Sequence, residues 1–269
     1  MVLNLRSHAE IRTLFNASWA QLERTVRAEW DSGRLAHELR SAAATGKGSG
    51  APTARCAGAD VNTFLRHARD GSIRFDRAAT LAFYVDICRP RDVVEVGGYI
   101  GLSSNFLLRL MEPWNGTLWS IDPNYPHRCF IEPRRLYHRM NPPASGRVHT
   151  INAFWRVARK LTAHGLEEPW KQGHSVSPTY FLKRGQRFDM AFIDGCHDYD
   201  TVIADFHALR PLMRRHACVA FDDVDAKAWP ATYSALQDLK REFAQNGLGT
   251  VLVGDQMALF LDQGHFGRE

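Results

Sequence analysis

A doubly wound α/β fold, built on a seven-stranded and mostly parallel sheet, is what this sequence predicts, and three patterns carry that expectation. Short apolar, β-branched runs alternate with stretches of helical periodicity. A glycine-rich turn, GGYIG, follows directly on the first of those runs, between a strand and a helix. Near its end the chain forms two strands around Gly254–Asp255, a tight-turn pair, which puts one antiparallel strand near the edge of the sheet.

The elements follow in order. Residues 7–40 read as helical, because Leu14, Trp19, Leu22, Val26, Trp30 and Leu35 recur every three to five positions with charged residues between them. The next stretch, SAAATGKGSGAPTARCAGAD (41–60), is nearly free of large apolar groups and reads as a flexible linker. The expected organisation is therefore a separable N-terminal helical extension and linker over 1–60, and a sheet-bearing domain over 61–269. In that domain 76–88 is a helix stopped by Pro90, and DVVEV (92–96) is the first strand. A helix at 102–112 precedes the second strand, TLWSID (117–122), and RVHTIN (147–152) is the third. FDMAFID (188–194) is the fourth, 199–213 a helix, ACVAFDD (217–223) the fifth strand, and 230–246 a helix before the final pair at 250–261. Between the third and fourth strands, residues 153–187 far exceed the usual αβ connection of about 2–6 residues, which suggests a lid or substrate loop.

Composition excludes several classes. With 45% apolar and 23% charged residues, the chain is neither low-complexity nor collagenous. No apolar run approaches the roughly 18 residues of a membrane span, and Arg6, His8, Glu10 and Arg12 interrupt any signal-peptide core. Five cysteines, an odd number without a C-x-x-C pair, argue for reduced thiols in a cytoplasmic compartment and against a zinc cluster. The net charge of +5 is concentrated in 127–139 and 155–187, on an otherwise mildly acidic chain. That pattern fits the rim of a pocket better than a surface for nucleic acid. The expected partner is thus a small molecule, with no nucleic acid and no membrane. The N-terminal helices could serve as a homo-oligomer arm or a substrate cover.

Three constellations carry chemistry. In VVEVGGYIGLSS (93–104) the strand bears Glu95, the turn uses Gly97, Gly98 and Gly101, and a helix starts near Leu102. Glycines let backbone approach a ligand, and the new helix offers unpaired N–H groups to an anion. The spacing is not the G-x-G-x-x-G of a dinucleotide site. An acid beside such a turn suits a ligand with both an amino group and a carboxylate, such as the methionine part of S-adenosylmethionine. Asp122, closing the second strand about 20 residues past the turn, is placed to hold the hydroxyls of an adenosine ribose. The sharpest pattern is FIDGCHDYD (192–200) with FDD (221–223): Asp194, Asp222 and Asp223 emerge from neighbouring strands at one sheet edge. Three clustered carboxylates need a cation between them, and all-oxygen ligation selects Mg²⁺ or a similar hard divalent ion. His197 is close enough to take a proton from a substrate held there. The plainer account has these Asp residues cap the following helices and His197 face solvent. Cys196 reads as a packing residue, and His127, Arg128, His138 and Arg139 as a solvated basic face. Trp155, Trp170, Tyr180 and Phe181 could line a pocket or anchor the insert.

Over about residues 76–262, these motifs resemble the class I S-adenosylmethionine-dependent methyltransferases. They look most like the metal-dependent O-methyltransferases that act on catechols and on macrolide sugars, and the resemblance implies the Rossmann-like methyltransferase fold. It also implies that Glu95, Gly97, Tyr99, Gly101 and Ser103 bind the methionine end of the cofactor. Asp122 would hold the ribose, and Asn152 and Ala153 would lie near the adenine. Asp194, Asp222 and Asp223 would hold the metal and His197 would accept the substrate proton. His197 stands where the catechol enzymes usually have Lys, and Asp223 where they usually have Asn. Both departures match the sugar-modifying branch, so the expected substrate is a hydroxyl of a sugar or natural product. Two alternatives remain at this stage: isomerisation or cyclisation in the same pocket, and a non-catalytic module binding RNA or a protein partner.

Overall fold

The computed structural model describes residues 5–33, 60–99, 101–122, 147–152, 181, 185–254 and 256–266. Helices α1 (His8–Asp31), α2 (Val61–Asp70) and α3 (Phe75–Cys88) precede strand β1 (Asp92–Val96). There follow α4 (Leu102–Met111), β2 (Thr117–Asp122), β3 (Arg147–Asn152), β4 (Phe188–Ile193) and α5 (Tyr199–Leu209). The chain continues through β5 (Met213–Phe221), α6 (Pro230–Gln245), β6 (Gly249–Gly254) and β7 (Met257–Asp262). The strands form one seven-stranded sheet in the order β3-β2-β1-β4-β5-β7-β6. All its pairings are parallel except those of β7, which runs antiparallel to both β5 and β6. This is the α/β, doubly wound architecture expected from the sequence.

Helices cover both faces, so alternate residues of each strand enter two different cores, and the strands read as unbroken apolar runs. Val93, Met190, Phe192, Cys218 and Ala220 face the layer of α1 to α4. Val94, Val96, Ala191, Ile193, Val219 and Phe221 face α5 and α6. From β1 the chain builds outward through β2 and β3, then returns to place β4 on the other side of β1. That reversal makes the C-terminal ends of β1 and β4 the topological switch point, where open α/β sheets bind ligands.

Three boundaries differ from expectation for local reasons. The helix expected over 7–40 ends at Asp31, with Ser32 as its cap and Gly33 at φ 73°. The helix expected at 199–213 ends at Leu209, and Pro211 belongs to a short 3-10 turn, Arg210–Leu212. β5 starts at Met213, earlier than expected, because its first turn-side residues Arg214, Arg215 and His216 are exposed and carry no apolar signal. Helix α2 had no counterpart in the sequence reading. It is only ten residues long, and it opens on Asp60, whose side chain accepts the Thr63 N–H at 2.8 Å.

The N-terminal extension shares the core of the sheet. Ser7 and Glu10 form a capping box that starts α1. Ile11, Leu22 and Val26 are then buried with Phe64 of α2 and Phe106 of α4. Arg6 adds an ion pair to Asp86 of α3, and Arg109 of α4 donates to Gln21. An amphipathic helix needs an apolar surface to cover its stripe, and α1 finds it on α3 and α4. Among the described residues, no helix is long and apolar enough to cross a membrane.

Candidate active site

The glycine turn is built from below. Glu95 is 0% exposed, and its carboxylate accepts from Ser103 Oγ at 2.6 Å, Ser120 Oγ at 2.7 Å and the Ser104 hydroxyl. Three hydroxyl donors make a buried carboxylate tolerable. Glu95 and Ser103, both implied as cofactor contacts, are thus bonded to each other beneath the loop. The ladder continues past the strand, with Gly97 N–H donating to Ile121 O at 2.8 Å. Gly97 has φ +94°, and a Cβ there would overlap the carbonyl oxygen of Asp194, so the turn lies directly on the loop after β4. Tyr99 also sits at positive φ, 44°, with its ring against Gly71. Gly101 begins α4 at φ 86° with no side-chain cap, which leaves the first N–H groups of the helix to a ligand. Asp122 and Asn152 lie in register at the same edge, one and two strands over. Ala153, nearly all of the 153–187 insert and the basic segment at 127–139 fall outside the described residues.

The second half of the site stands at the ends of β4 and β5. Asp194 N–H donates to Val96 O at 2.9 Å and Asp222 N–H to Ile193 O at 3.0 Å, so the sheet ladder itself fixes both acids at the switch point. Neither caps a helix. Asp198 caps α5 through the Thr201 N–H, and Asp225 takes the N–H groups of Lys227 and Ala228 before α6. That removes the plainer account of Asp194, Asp222 and Asp223. His197 Nε2 lies 2.7 Å from Asp223 Oδ2 and 4.0 Å from Asp194 Oδ1. Ligand atoms of Asp194, His197 and Asp223 all fall within 4.8 Å of one another. Asp222 stands beside this group, its Oδ1 accepting from Asp223 N–H at 2.8 Å and from Arg77 at 3.1 Å.

The electrostatics follow from crowding. Burial, reinforced by the neighbouring charge of Asp222, holds the Asp194 carboxyl well above its usual range. Burial also raises Asp222, to about 6, although Arg77 opposes it. Burial would raise Asp223 as well, but His197 and Arg77 outweigh it and hold that carboxyl low. For His197 burial works against the cation, yet Asp194 and Asp223 prevail and bring its pKa to about 9.

Sequence reasoning missed two neighbours. Arg77, in the first turn of α3, pairs with both Asp222 and Asp223. Trp229 packs its ring 4.1 Å from that of His197. Cys196, expected to pack, is instead exposed, and its thiol donates to Asp198 at 2.5 Å. Burial and then Asp198 push that thiol's pKa up, away from nucleophilic use. Phe181 anchors the end of the insert, buried against Trp119 and Phe188.

A family model described as "Methyltransferase domain" matches residues 94–224, which span the glycine turn, both acidic loops and four of the parallel strands. Over these residues the chain is similar to methyltransferase domains. Several solved structures are similar to the chain. The O-methyltransferase TomG from Streptomyces achromogenes, involved in tomaymycin synthesis and solved with S-adenosylmethionine, is 17% identical, with a TM-score of 0.50 over 77% of this chain and 92% of that one. The Podospora anserina methyltransferase PaMTH1, bound to S-adenosylhomocysteine, is 13% identical, with a TM-score of 0.49 and coverage of 74% and 86%. An O-methyltransferase from Bacillus cereus, also with S-adenosylhomocysteine, is 15% identical, with a TM-score of 0.48 and coverage of 78% and 94%. No curated protein matches the chain.

Proposed function

We propose that this protein is a methyltransferase, transferring a methyl group from S-adenosylmethionine to a hydroxyl of a small molecule, of sugar or natural-product type, with a divalent cation such as Mg²⁺ in the acidic corner. The observation that carries the reading is the contact of two half-sites. The glycine turn rests on the backbone of Asp194, so a cofactor on that turn lies beside the acid–histidine corner. The residues fit both groups. Gly97 and the uncapped start of α4 leave room and N–H groups for a carboxylate-bearing ligand. Near the acids, ligand atoms of Asp194, His197 and Asp223 gather within 4.8 Å of one another, a cluster of hard oxygen donors and one imidazole that could take a divalent cation.

In this reading the backbone of Gly97 and Gly101 receives the methionine end of the cofactor, with Tyr99 beside it. Glu95 and Ser103 support the turn from beneath. Asp122 takes the ribose, and Asn152 with Ala153 the adenine side. Asp194 and Asp223 hold the cation, with Asp222 behind them as the third acid. Bound there, the cation would polarise two neighbouring substrate oxygens, and the cofactor's sulfonium supplies an electrophilic methyl carbon. His197 takes the proton of the attacking hydroxyl as the new O–C bond forms and the C–S bond breaks, giving a methyl ether and S-adenosylhomocysteine. Asp194 and Asp223 stabilise the imidazolium that results. Trp229 packs against the His197 ring, the two planes tilted by 39°.

The test is release of S-adenosylhomocysteine, together with a product one methylene heavier, on a panel of vicinal-diol sugars and polyphenols. Activity should vanish in EDTA, return with added Mg²⁺, and fall by about 10²–10⁴-fold in His197→Ala, the usual worth of a positioned proton acceptor. Transfer that survives both EDTA and His197→Ala overturns the mechanism.

A further inference from the structure

Arg77 occupies an unfavourable place for a cation. It lies in the first turn of α3, where the helix carries its own partial positive charge. Its side chain is only 15% exposed, so solvent does not explain it. The guanidinium crosses to the end of β5, where Nη1 donates to Asp222 Oδ1 at 3.1 Å and to Asp223 Oδ1. Its Nε is buried without a partner among the described residues, so the side chain is placed for its charge and not for complete hydrogen bonding. Two consequences follow for the acids. Asp222 Oδ1 is committed to Arg77 and to the Asp223 N–H. Asp223, with Oδ1 on Arg77, turns Oδ2 toward His197. Asp223 also holds a left-handed backbone, φ 58°, which a non-glycine residue keeps only when its surroundings fix it. Two adjacent buried carboxylates without a cation would repel each other and carry a large desolvation cost.

We propose that Arg77 is the resident counter-ion of the acidic corner and a competitor of the divalent cation there. It holds Asp222 and Asp223 in place when no metal is bound, and its charge opposes the metal, so the ion binds weakly and exchanges readily. The second half rests on the metal reading given above; the first does not.

The experiment uses the full chain and MnCl₂, with binding followed by calorimetry and by the paramagnetic signal of free Mn²⁺, alongside thermal melts of the metal-free proteins. Arg77→Gln should bind Mn²⁺ at least about tenfold more tightly than wild type, because one positive charge close to the site is gone. It should also melt at a lower temperature without metal, while Arg77→Lys stays near wild type in both measurements. The double variant Arg77→Gln/Asp222→Asn, which removes one charge of each sign, should recover the metal-free melting temperature. It serves as the test should Arg77→Gln alone not fold. An Arg77→Gln affinity equal to or weaker than wild type overturns the opposing-charge role. An unchanged melt, or no recovery in the double variant, overturns the counter-ion role. Absence of Mn²⁺ binding in both wild type and Arg77→Gln defeats the metal reading, and the counter-ion role is then decided by the melts alone.

Discussion

A side chain on Gly97 would meet the carbonyl oxygen of Asp194 and would have to adopt φ +94°, so this residue couples the glycine turn to the acidic loop through its lack of a Cβ. Neither the strand β1 nor the ladder bond to Ile121 can shift to relieve the overlap, because both neighbours are buried. Gly97→Ala should therefore cost about 2 kcal/mol or more, from the strained backbone and the overlap together. Urea unfolding measures the stability, and titration with S-adenosylhomocysteine measures the turn; a variant unchanged in both would show that the two loops are not coupled. Beneath the turn, Glu95→Gln leaves one acceptor of three hydroxyl donors replaced by an amide donor. That mismatch in a dry site should cost about 1–3 kcal/mol by the same measurement.

At the level of elements, α1 decides whether the first helix is an appendage or part of the sheet's own core. Leu22 is fully buried in the cluster that contains Phe106 and Val93. Leu22→Ala should accordingly destabilise the whole chain by about 2–5 kcal/mol, in a single transition. A separate early transition, with the main midpoint unmoved, would instead mark α1 as an independent unit. The same contrast shows what the sequence made legible. Strands buried on both faces announce themselves as apolar runs, and the acids at their ends were placed at one edge by parallel order alone. Helix α1 looked separable because a composition-poor linker follows it, and periodicity says where an apolar stripe is without saying what covers it. Helix α2 escaped notice because ten residues give too few turns for a period, although Asp60 marked its start. Arg77 was out of reach for another reason. Its partners lie 145 and 146 positions away, and no local pattern records an ion pair of that span.

At the scale of the whole molecule, the charge that matters is the balance inside the switch point, where three carboxylates face Arg77 and His197. Without metal, His197 has a pKa of about 9 against 6.5 for a free histidine. A group raised on folding contributes stability that is fully present below the unfolded value and is lost as pH rises through the folded one. The metal-free chain should therefore lose stability between about pH 6.5 and 9, and His197→Gln should flatten that part of the profile. Asp223 acts in the opposite window: held low in the fold, its contribution is present above its unfolded value and disappears as pH falls through the folded one. A divalent cation bound in the corner, as proposed, would take over the role of the imidazolium charge, so its binding should displace a proton and strengthen with pH over the interval in which His197 would otherwise stay charged. Saturating Mg²⁺, at 100 times its dissociation constant, adds about 2.7 kcal/mol to a folded state that alone binds it. At a fixed Mg²⁺ concentration the gain should be small near pH 6.5 and larger near pH 9, so the metal-bound profile stays level where the metal-free one falls. Melting temperatures with and without Mg²⁺ across that range measure the difference, and an equal gain at both ends would separate His197 from the cation site.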